Sequence, residues 1–291
     1  MLRDVKILVA GATGHVGGAA VRHLLGGGFE VRALVRSPKK GESIRALGAE
    51  PIVGDVTRSE TLAPALDGCA GVFSALSSGT EREAEEVEHR GNVNLLRAAR
   101  EAGVRRFVYS SALLADHPLA QRVGTFREKA RFEEALLGAN GVSATVLRPV
   151  MFMETLLLAS SGPVAFVPGR QRRRVGWVAA SDVARAAVAA FERDITGRHE
   201  LAGPDTATFD EAYRRFSTAR GKRMLVLHPP LPVMRLAGRI SPAVEELASM
   251  FAFFDAAGYA SDSPALRETF GVEASTIEEW AGRVSGPRTS G

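Results

Sequence analysis

Three glycines at a regular spacing, Gly11, Gly14 and Gly17, follow a largely apolar run over 5–10. Glycine adopts a positive φ without strain, and its missing side chain lets backbone N–H groups approach an anion closely. A helical pattern starts directly behind this turn, so the positive end of the helix dipole also attracts a phosphate. The alternative is a tight turn that binds nothing. The residues predicted to hold the pyrophosphate of a dinucleotide are Gly11, Thr13, Gly14, His15, Val16 and Gly17.

The residue that ends the second strand pattern, over 29–35, indicates which dinucleotide binds. An acidic side chain at this place would bind the ribose hydroxyls of NAD, but the sequence has Arg36. A guanidinium binds a phosphate through two parallel hydrogen bonds, which suits the 2′-phosphate of NADP. We therefore predict that NADP(H) is preferred over NAD(H), with Lys39 and Lys40 adding charge. The alternative is that Arg36 is a surface residue without a ligand.

The elements that must position these residues alternate along the chain. Strands are predicted near 5–10, 29–35, 51–53, 70–75, 105–110 and 142–147, and helices near 15–26, 41–48, 59–67, 81–102, 120–138 and 181–192. Such alternation predicts an α/β fold, a Rossmann-type doubly wound parallel sheet with helices on both faces. Its ligand should lie at the carboxyl ends of the strands, at the topological switch point.

Beyond Pro149 the pattern becomes irregular, because prolines interrupt it repeatedly, the densest group being Pro229–Pro232. We predict a Rossmann domain that binds NADP over 1–150 and a smaller region that covers the substrate over 151–291. Within the second region, 177–203 is expected to pack back on the Rossmann core.

Composition excludes several classes of protein. A single cysteine, Cys69, permits no intramolecular disulfide and no cysteine-based metal cluster, and the six histidines show no metal-ligand spacing. We therefore expect no metal. No apolar run reaches membrane-spanning length. The N-terminus leads straight into the first strand pattern without a signal peptide, so a cytoplasmic protein is expected.

The charge of the chain argues against nucleic acid as a partner. A formal charge of +4 over 291 residues is mild, although arginines are dense over 170–174. A solvated loop is the simplest interpretation of that cluster, and an anionic substrate, a protein partner or DNA are the alternatives. The expected partner is a small apolar or aromatic molecule, with no membrane, and the protein is expected to be a monomer or a homodimer.

Further segments extend the glycine motif into a family pattern. They are 7–18, 31–36, 54–56, 109–111, 147–149 and 181–184. In this order and spacing the chain resembles the atypical short-chain dehydrogenase/reductase family, and in particular its NmrA-like group with small quinone and dye reductases. The resemblance implies that Asp55 and Val56 contact the adenine and that Pro149 lies near the nicotinamide.

The same resemblance indicates where proton chemistry would occur. The wider family has a tyrosine and a lysine separated by three residues, and here these places hold Thr125 and Lys129. The resemblance implies that Lys129 binds the nicotinamide ribose and that Ser110 or Ser111 occupies the catalytic serine position. The alternatives are strand-end hydroxyls for the serines and an exposed pair of Lys129 with Glu133, four residues later on a helix.

The residues predicted to line the substrate pocket are Met151, Phe152 and Trp177, since such side chains suit a flat apolar molecule. Phe251 and Phe254, at helical spacing, are interpreted as core. Two functions follow from the resemblance. The first is an NADPH-dependent reductase of a quinone-like or other conjugated or carbonyl small molecule. The second is an NADP-binding redox sensor without turnover, which the threonine in the tyrosine place would favour. An epimerase or dehydratase is less favoured, because it would need that tyrosine.

Overall fold

The computed structural model of the protein describes residues 5–78, 80, 83–158, 160–161 and 163–284. The strands are β1 Lys6–Ala10, β2 Glu30–Val35, β3 Glu50–Val53, β4 Cys69–Ser74, β5 Arg106–Ser110, β6 Ser143–Pro149, β7 Met151–Phe152, β8 Ser160–Ser161, β9 Val164–Phe166, β10 Val175–Val178, β11 Gly197–Leu201, β12 Asp205–Ala207 and β13 Leu225–Leu227. The helices are α1 His15–Gly26, α2 Pro38–Arg45, α3 Ala63–Leu66, α4 Asn92–Glu101, α5 Gly124–Leu137, α6 Thr155–Leu158, α7 Ala180–Arg193, α8 Phe209–Ala219, α9 Leu231–Gly238, α10 Pro242–Ala257, α11 Ala265–Glu268 and α12 Ile277–Arg283.

Within the described ranges a seven-stranded sheet has the order β11-β6-β5-β4-β1-β2-β3, and all its neighbouring strands run parallel. From β1 the chain first builds outward through β2 and β3, and then returns to place β4 on the other side. The switch point therefore lies between β1 and β4, where the carboxyl ends of the strands leave a crevice. The predicted fold class, a Rossmann-type doubly wound sheet, is confirmed.

The sheet is buried on both faces, as the apolar pattern of β1 illustrates. Ile7 and Val9 pack into a cluster with Leu24 of α1 and Val183 of α7. Leu8 packs into a second cluster on the opposite face, with residues of α3, α4 and α5. Because successive side chains of a strand point to opposite faces, a strand covered by helices on both sides is apolar throughout.

Several helices differ in their bounds from the predicted ones. Helix α2 covers Pro38–Arg45 instead of 41–48, because Pro38 at the first helical position already has the helical φ. The predicted helix over 59–67 is a short 3₁₀ turn, Ser59–Thr61, followed by α3. A π-helical segment, Ala84–Gly91, precedes α4 within the predicted helix over 81–102.

The chain after Pro149 adds two small sheets, with the orders β12-β10-β7 and β13-β9-β8. Strand β11 extends the main sheet as a parallel neighbour of β6. The cluster on the α1 face continues into Phe209, Phe251 and Trp280 of this part of the chain. The division at residue 150 stays a prediction. None of the helices in the described ranges has both the length and the apolar character that a membrane span requires.

Candidate functional site

The turn after β1 is packed so tightly that only glycine fits at two of its positions. Gly11 has a φ of 81°, and a Cβ there would lie 2.4 Å from the carbonyl oxygen of Ala75. A Cβ at Gly17 would lie 2.2 Å from the carbonyl oxygen of Gly11. Both glycines therefore let the turn, the end of β4 and the first turn of α1 approach one another.

The N-terminus of α1 has the properties of an anion site. Gly14 is its N-cap residue in an extended conformation, and within this helix no side chain caps the N-terminus and the first turn has no acidic residue. The first backbone N–H groups of a helix have no partner inside the helix, so they remain available to an external acceptor. Together with the glycine-only packing, this fits the pyrophosphate of a dinucleotide.

Arg36 and Asp55 follow β2 and β3, which are neighbours in the sheet with Val35 opposite Val53. The Arg36 side chain is exposed. The Asp55 Oδ1 atom accepts hydrogen bonds from the backbone N–H and the hydroxyl of Thr57, at 2.9 and 2.8 Å. Asp55 thus stabilises its own loop, and Arg36 is exposed at the same edge of the sheet.

Val56, the last of the predicted adenine contacts, is buried. Its carbonyl oxygen accepts a hydrogen bond from Asn94 Nδ2 at 3.0 Å. Its side chain packs so closely against Gly91 that a Cβ at that glycine would lie 2.7 Å from Val56 Cγ2. The loop after β3 is therefore fixed against the π-helical segment and α4.

A cavity of about 740 Å³ opens beside the carboxyl ends of the central strands. The predicted site residues that line it are Gly14, His15, Val16, Ser110, Ser111, Lys129, Pro149, Met151 and Phe152. The predicted site residues outside its lining are Gly11, Thr13, Gly17, Arg36, Asp55, Val56 and Trp177. The cavity thus joins the N-terminus of α1 to the ends of β5 and β6.

The expectation that Trp177 lines the pocket was wrong. Trp177 is completely buried in β10, where its indole Nε1 donates a hydrogen bond to the carbonyl of Ala207 at 3.2 Å. Its ring packs edge-on against Phe209, with 5.2 Å between the centroids. Strand β10 pairs with β12. The indole therefore lies in the core beside α8 and is not part of the cavity wall.

Lys129 lies on the buried face of α5 and reaches the cavity wall. Its Nζ atom is 2.8 Å from Oε2 of Glu88 and donates to the carbonyl of Leu76 at 3.4 Å. Glu88 is fully buried, and its other oxygen, Oε1, accepts hydrogen bonds from the backbone N–H and the hydroxyl of Ser78. A buried carboxylate therefore neutralises the ammonium and holds it in place.

The alternative of an exposed Lys129–Glu133 pair is wrong, because Glu133 is buried and bound elsewhere. Its carboxylate accepts hydrogen bonds from the guanidinium groups of Arg148 and Arg198. It also accepts a hydrogen bond from the hydroxyl of Ser111. Ser111 therefore presents its oxygen lone pairs to the cavity, and its proton already has a partner.

The remaining wall of the cavity is apolar and comes from residues far along the chain. These residues include Phe166, Leu247, Met250, Phe251, Phe254 and Tyr259. Phe251 and Phe254 are buried, as the core interpretation requires, and they line the cavity as well.

The comparison with family models decides the family. The model of the NmrA-like family matches residues 3–283. The chain belongs to the NmrA-like family.

Two relatives of this NmrA-like protein differ in their roles. The 4-hydroxy-2-methyl-3-oxo-4-farnesyl-3,4-dihydroquinoline-1-oxide ketoreductase of Stigmatella aurantiaca is 36% identical over 165 residues, which cover 50% of this chain and 49% of that protein. The match thus spans about half the length of the ketoreductase. The photosystem II assembly factor Ycf39 of Synechocystis is 25% identical over 303 residues, with 96% of this chain and 92% of that protein covered.

A solved structure shares the fold over nearly the whole chain. It is the NADPH complex of the NADPH-dependent quinone oxidoreductase QOR2 from Escherichia coli. The TM-score is 0.77 at 23% sequence identity, and the match covers 94% of this chain and 98% of that one. At this identity the likeness concerns the fold.

In this NmrA-like protein the place expected for a tyrosine is not part of the cavity wall. Thr125 lies in the first turn of α5, half-buried, and its backbone N–H donates to Glu246 Oε1 at 3.1 Å. Two residues that the sequence did not single out do belong to the site, Glu88 and Tyr259. Both are distant in sequence from the motifs that predicted the rest. Among the described residues, no three His, Cys, Asp or Glu side chains come together to hold a metal ion.

Proposed function

We propose that the protein is an NADPH-dependent reductase of an apolar, conjugated small molecule such as a quinone. One observation carries this proposal. A single, mostly apolar cavity extends from the N-terminus of α1 to Lys129 and the serines at the end of β5. A dinucleotide bound through its pyrophosphate at Gly14 would extend toward these groups along the carboxyl ends of the strands.

The chain's own residues supply the binding surface for the cofactor. The N–H groups at the start of α1 receive the pyrophosphate, and Pro149, at the end of β6, borders the nicotinamide end of the cavity. Arg36 favours NADP over NAD, because it is exposed at the edge where the adenine ribose would lie. The bound cofactor supplies a hydride.

The relatives agree with reductase chemistry. The quinone oxidoreductase with the same fold was solved in complex with NADPH. The relative with the higher identity, which matches over about half of its length, is a ketoreductase. The first of these proteins reduces a quinone and the second a ketone. The Phe, Met and Leu side chains of the cavity wall suit such a planar, conjugated molecule.

Lys129 and Ser111 have different roles in this proposal. The Lys129 ammonium carries three N–H groups, Glu88 and the carbonyl of Leu76 are two of its partners, and the residue lines the cavity. It can therefore still donate to a ribose hydroxyl or to a substrate oxygen in the cavity. The Ser111 hydroxyl donates its hydrogen bond to Glu133, so its oxygen can accept a hydrogen bond from the ligand. Both groups orient the reactants, and orientation supplies much of the rate.

The proposal is tested with purified protein, NADPH and a panel of quinones and triarylmethane dyes, by following the absorbance of reduced nicotinamide. We expect turnover with at least one acceptor. Tight binding of NADPH with no turnover of any acceptor would contradict a reductase and favour the redox sensor. Binding is measured separately by calorimetry, so that a lack of turnover is not confused with a lack of cofactor affinity.

A further inference from the structure

Reduction of a carbonyl or quinone requires a proton as well as a hydride, and this inference rests on the proposed function. Few groups on the cavity wall can supply that proton, because His15 lies at the pyrophosphate end and the Lys129 ammonium is held by Glu88 and Leu76. The Ser111 hydroxyl already donates to Glu133. Both carboxylate oxygens of Glu154 accept the N–H of Ala180, at 3.2 and 3.1 Å, and Oε1 also accepts the indole N–H of Trp280 at 3.2 Å.

Tyrosine is one of the side chains that act as general acids, whereas serine and threonine are not among them. The chain has three tyrosines. Tyr109 and Tyr213 have buried hydroxyls for which the described residues provide no hydrogen-bond partner, and neither lines the cavity. Tyr259 is the tyrosine on the cavity wall among the described residues.

The position of the Tyr259 phenol is determined by its surroundings. Its hydroxyl lies 3.4 Å from the carbonyl oxygen of Pro149, which lines the same cavity. Its ring packs on Phe254, with 4.8 Å between the centroids, and on Phe126, with 6.0 Å. Its backbone carbonyl accepts the N–H of Gly176 at 2.8 Å, which attaches this part of the chain to β10.

The hydrogen bond to Pro149 is long, so the phenol can exchange it for a better acceptor at little cost. A substrate oxygen that becomes negative is such an acceptor, because hydrogen bonds to charged groups are stronger than those between neutral groups. Burial raises the pKa of Tyr259 well above its usual range. The phenol therefore keeps its proton until a strongly basic oxygen forms beside it.

We propose that Tyr259 is the catalytic proton donor to the substrate oxygen. When a carbonyl or quinone substrate accepts hydride from a reduced nicotinamide, a C–H bond of the nicotinamide breaks, a new bond to hydrogen forms on the substrate, and an electron pair moves to a substrate oxygen. That oxygen takes the phenol proton, and an O–H bond forms. The resulting phenolate recovers its proton from water.

The test compares two acceptors that differ in their need for a proton. A quinone takes up a hydride and a proton, whereas a cationic triarylmethane dye becomes neutral by taking up the hydride alone. Tyr259→Phe should lower kcat for the quinone by about a hundredfold, in the usual range for a lost general acid, and leave kcat for the dye nearly unchanged. Tyr213→Phe, the matched control, should change neither. An equal loss with both acceptors would overturn the proposal and indicate a packing role.

A binding measurement tests the same residue without turnover. Calorimetric affinities are compared for para-nitrophenolate, which carries an oxyanion, and para-nitroanisole, in which a methyl group blocks that oxygen. Tyr259→Phe should weaken binding of the phenolate about tenfold, as expected for a lost charge-assisted hydrogen bond, and leave the ether unaffected. Equal affinities of wild type and variant for the phenolate would overturn the proposal. If the wild type reduces neither acceptor, the reductase proposal fails, and this arm still decides whether Tyr259 binds an oxyanion.

Discussion

Lys129 and Glu133 lie one helical turn apart on α5, yet each is bound to a different partner. The Lys129 ammonium is 2.8 Å from Glu88 of the π-helical segment, and the Glu133 carboxylate accepts hydrogen bonds from Arg148 of β6. The two side chains are buried and do not pair with each other. Lys129 connects α5 to the π-helical segment, and Glu133 connects it to β6. Glu88 belongs to the site because it holds Lys129, which lines the cavity.

Replacing Glu88 by Gln is expected to lower turnover about tenfold. The amide has the shape of the carboxylate but no charge, so it leaves the buried ammonium of Lys129 without its counter-ion. The matched control is Glu128→Gln on α5, since Glu128 is equally buried but pairs with Arg127 and Arg131. Steady-state kinetics are measured for both variants and for Glu88→Gln in a Lys129→Met background. Glu88→Gln should have no further effect there, and full additivity would show that Glu88 does not act through Lys129.

Arg36→Asp should weaken NADP binding about ten- to a hundredfold while changing NAD binding much less. A lost charge-assisted hydrogen bond to the 2′-phosphate accounts for an effect of this size. Arg172→Asp, in the exposed loop before β10, makes the same charge change away from the nucleotide edge. Calorimetric titration of both dinucleotides measures the ratio. Equal losses of affinity for NADP and NAD would mean that Arg36 does not bind the 2′-phosphate.

Gly17→Ala should both destabilise the fold and abolish dinucleotide binding. The new methyl would lie 2.2 Å from the Gly11 carbonyl, and relieving such an overlap costs about 2 kcal/mol or more. For a chain of this size we expect Tm to fall by about 5 °C. Gly26→Ala, on the same helix, has no atom within 4 Å of its new methyl and should leave Tm and binding intact. Equal Tm values for Gly17→Ala and Gly26→Ala would contradict the prediction, because they would show that the close packing at Gly17 does not contribute to stability.

The carboxyl group of Glu154 should make stability depend on pH. Burial raises the pKa of Glu154 from the ordinary value of 4.5. Between that value and the raised one, the folded state holds more protons than the unfolded state, so this group lowers stability as pH rises through the window. Glu154→Gln removes the titration, so the Tm of the variant minus that of the wild type should increase from pH 4 to pH 8. A difference that is flat with pH would contradict the raised pKa.

The sequence predicts the half of the site that short segments encode. The strands are specified by local apolar runs, and the turn at Gly11 by a position that only glycine can occupy. Both features could therefore be predicted from the sequence. Lys129 could be placed by its helix and by the family resemblance.

The other half depends on contacts between distant parts of the chain. Glu88 looks like one acid among several on a polar helix, since Glu83, Glu85 and Glu86 precede it. Only its burial against α5 distinguishes it. Tyr259 follows a glycine in a segment without periodicity, and the β10 contact that fixes it was not visible in the sequence. Trp177 was misassigned because an aromatic residue beside the pocket-forming segments can equally well face the core.

The central claim is that hydride passes from NADPH to a small molecule in this cavity. The most direct measurement uses NADPH deuterated at C4 on the transferred face, a cationic triarylmethane dye as acceptor, and mass spectrometry of the product. The dye product should carry one deuterium on its central carbon, because that C–D bond does not exchange with water. A product without deuterium would contradict the claim, as would a protein that binds NADPH but reduces neither the dye nor any quinone of the panel.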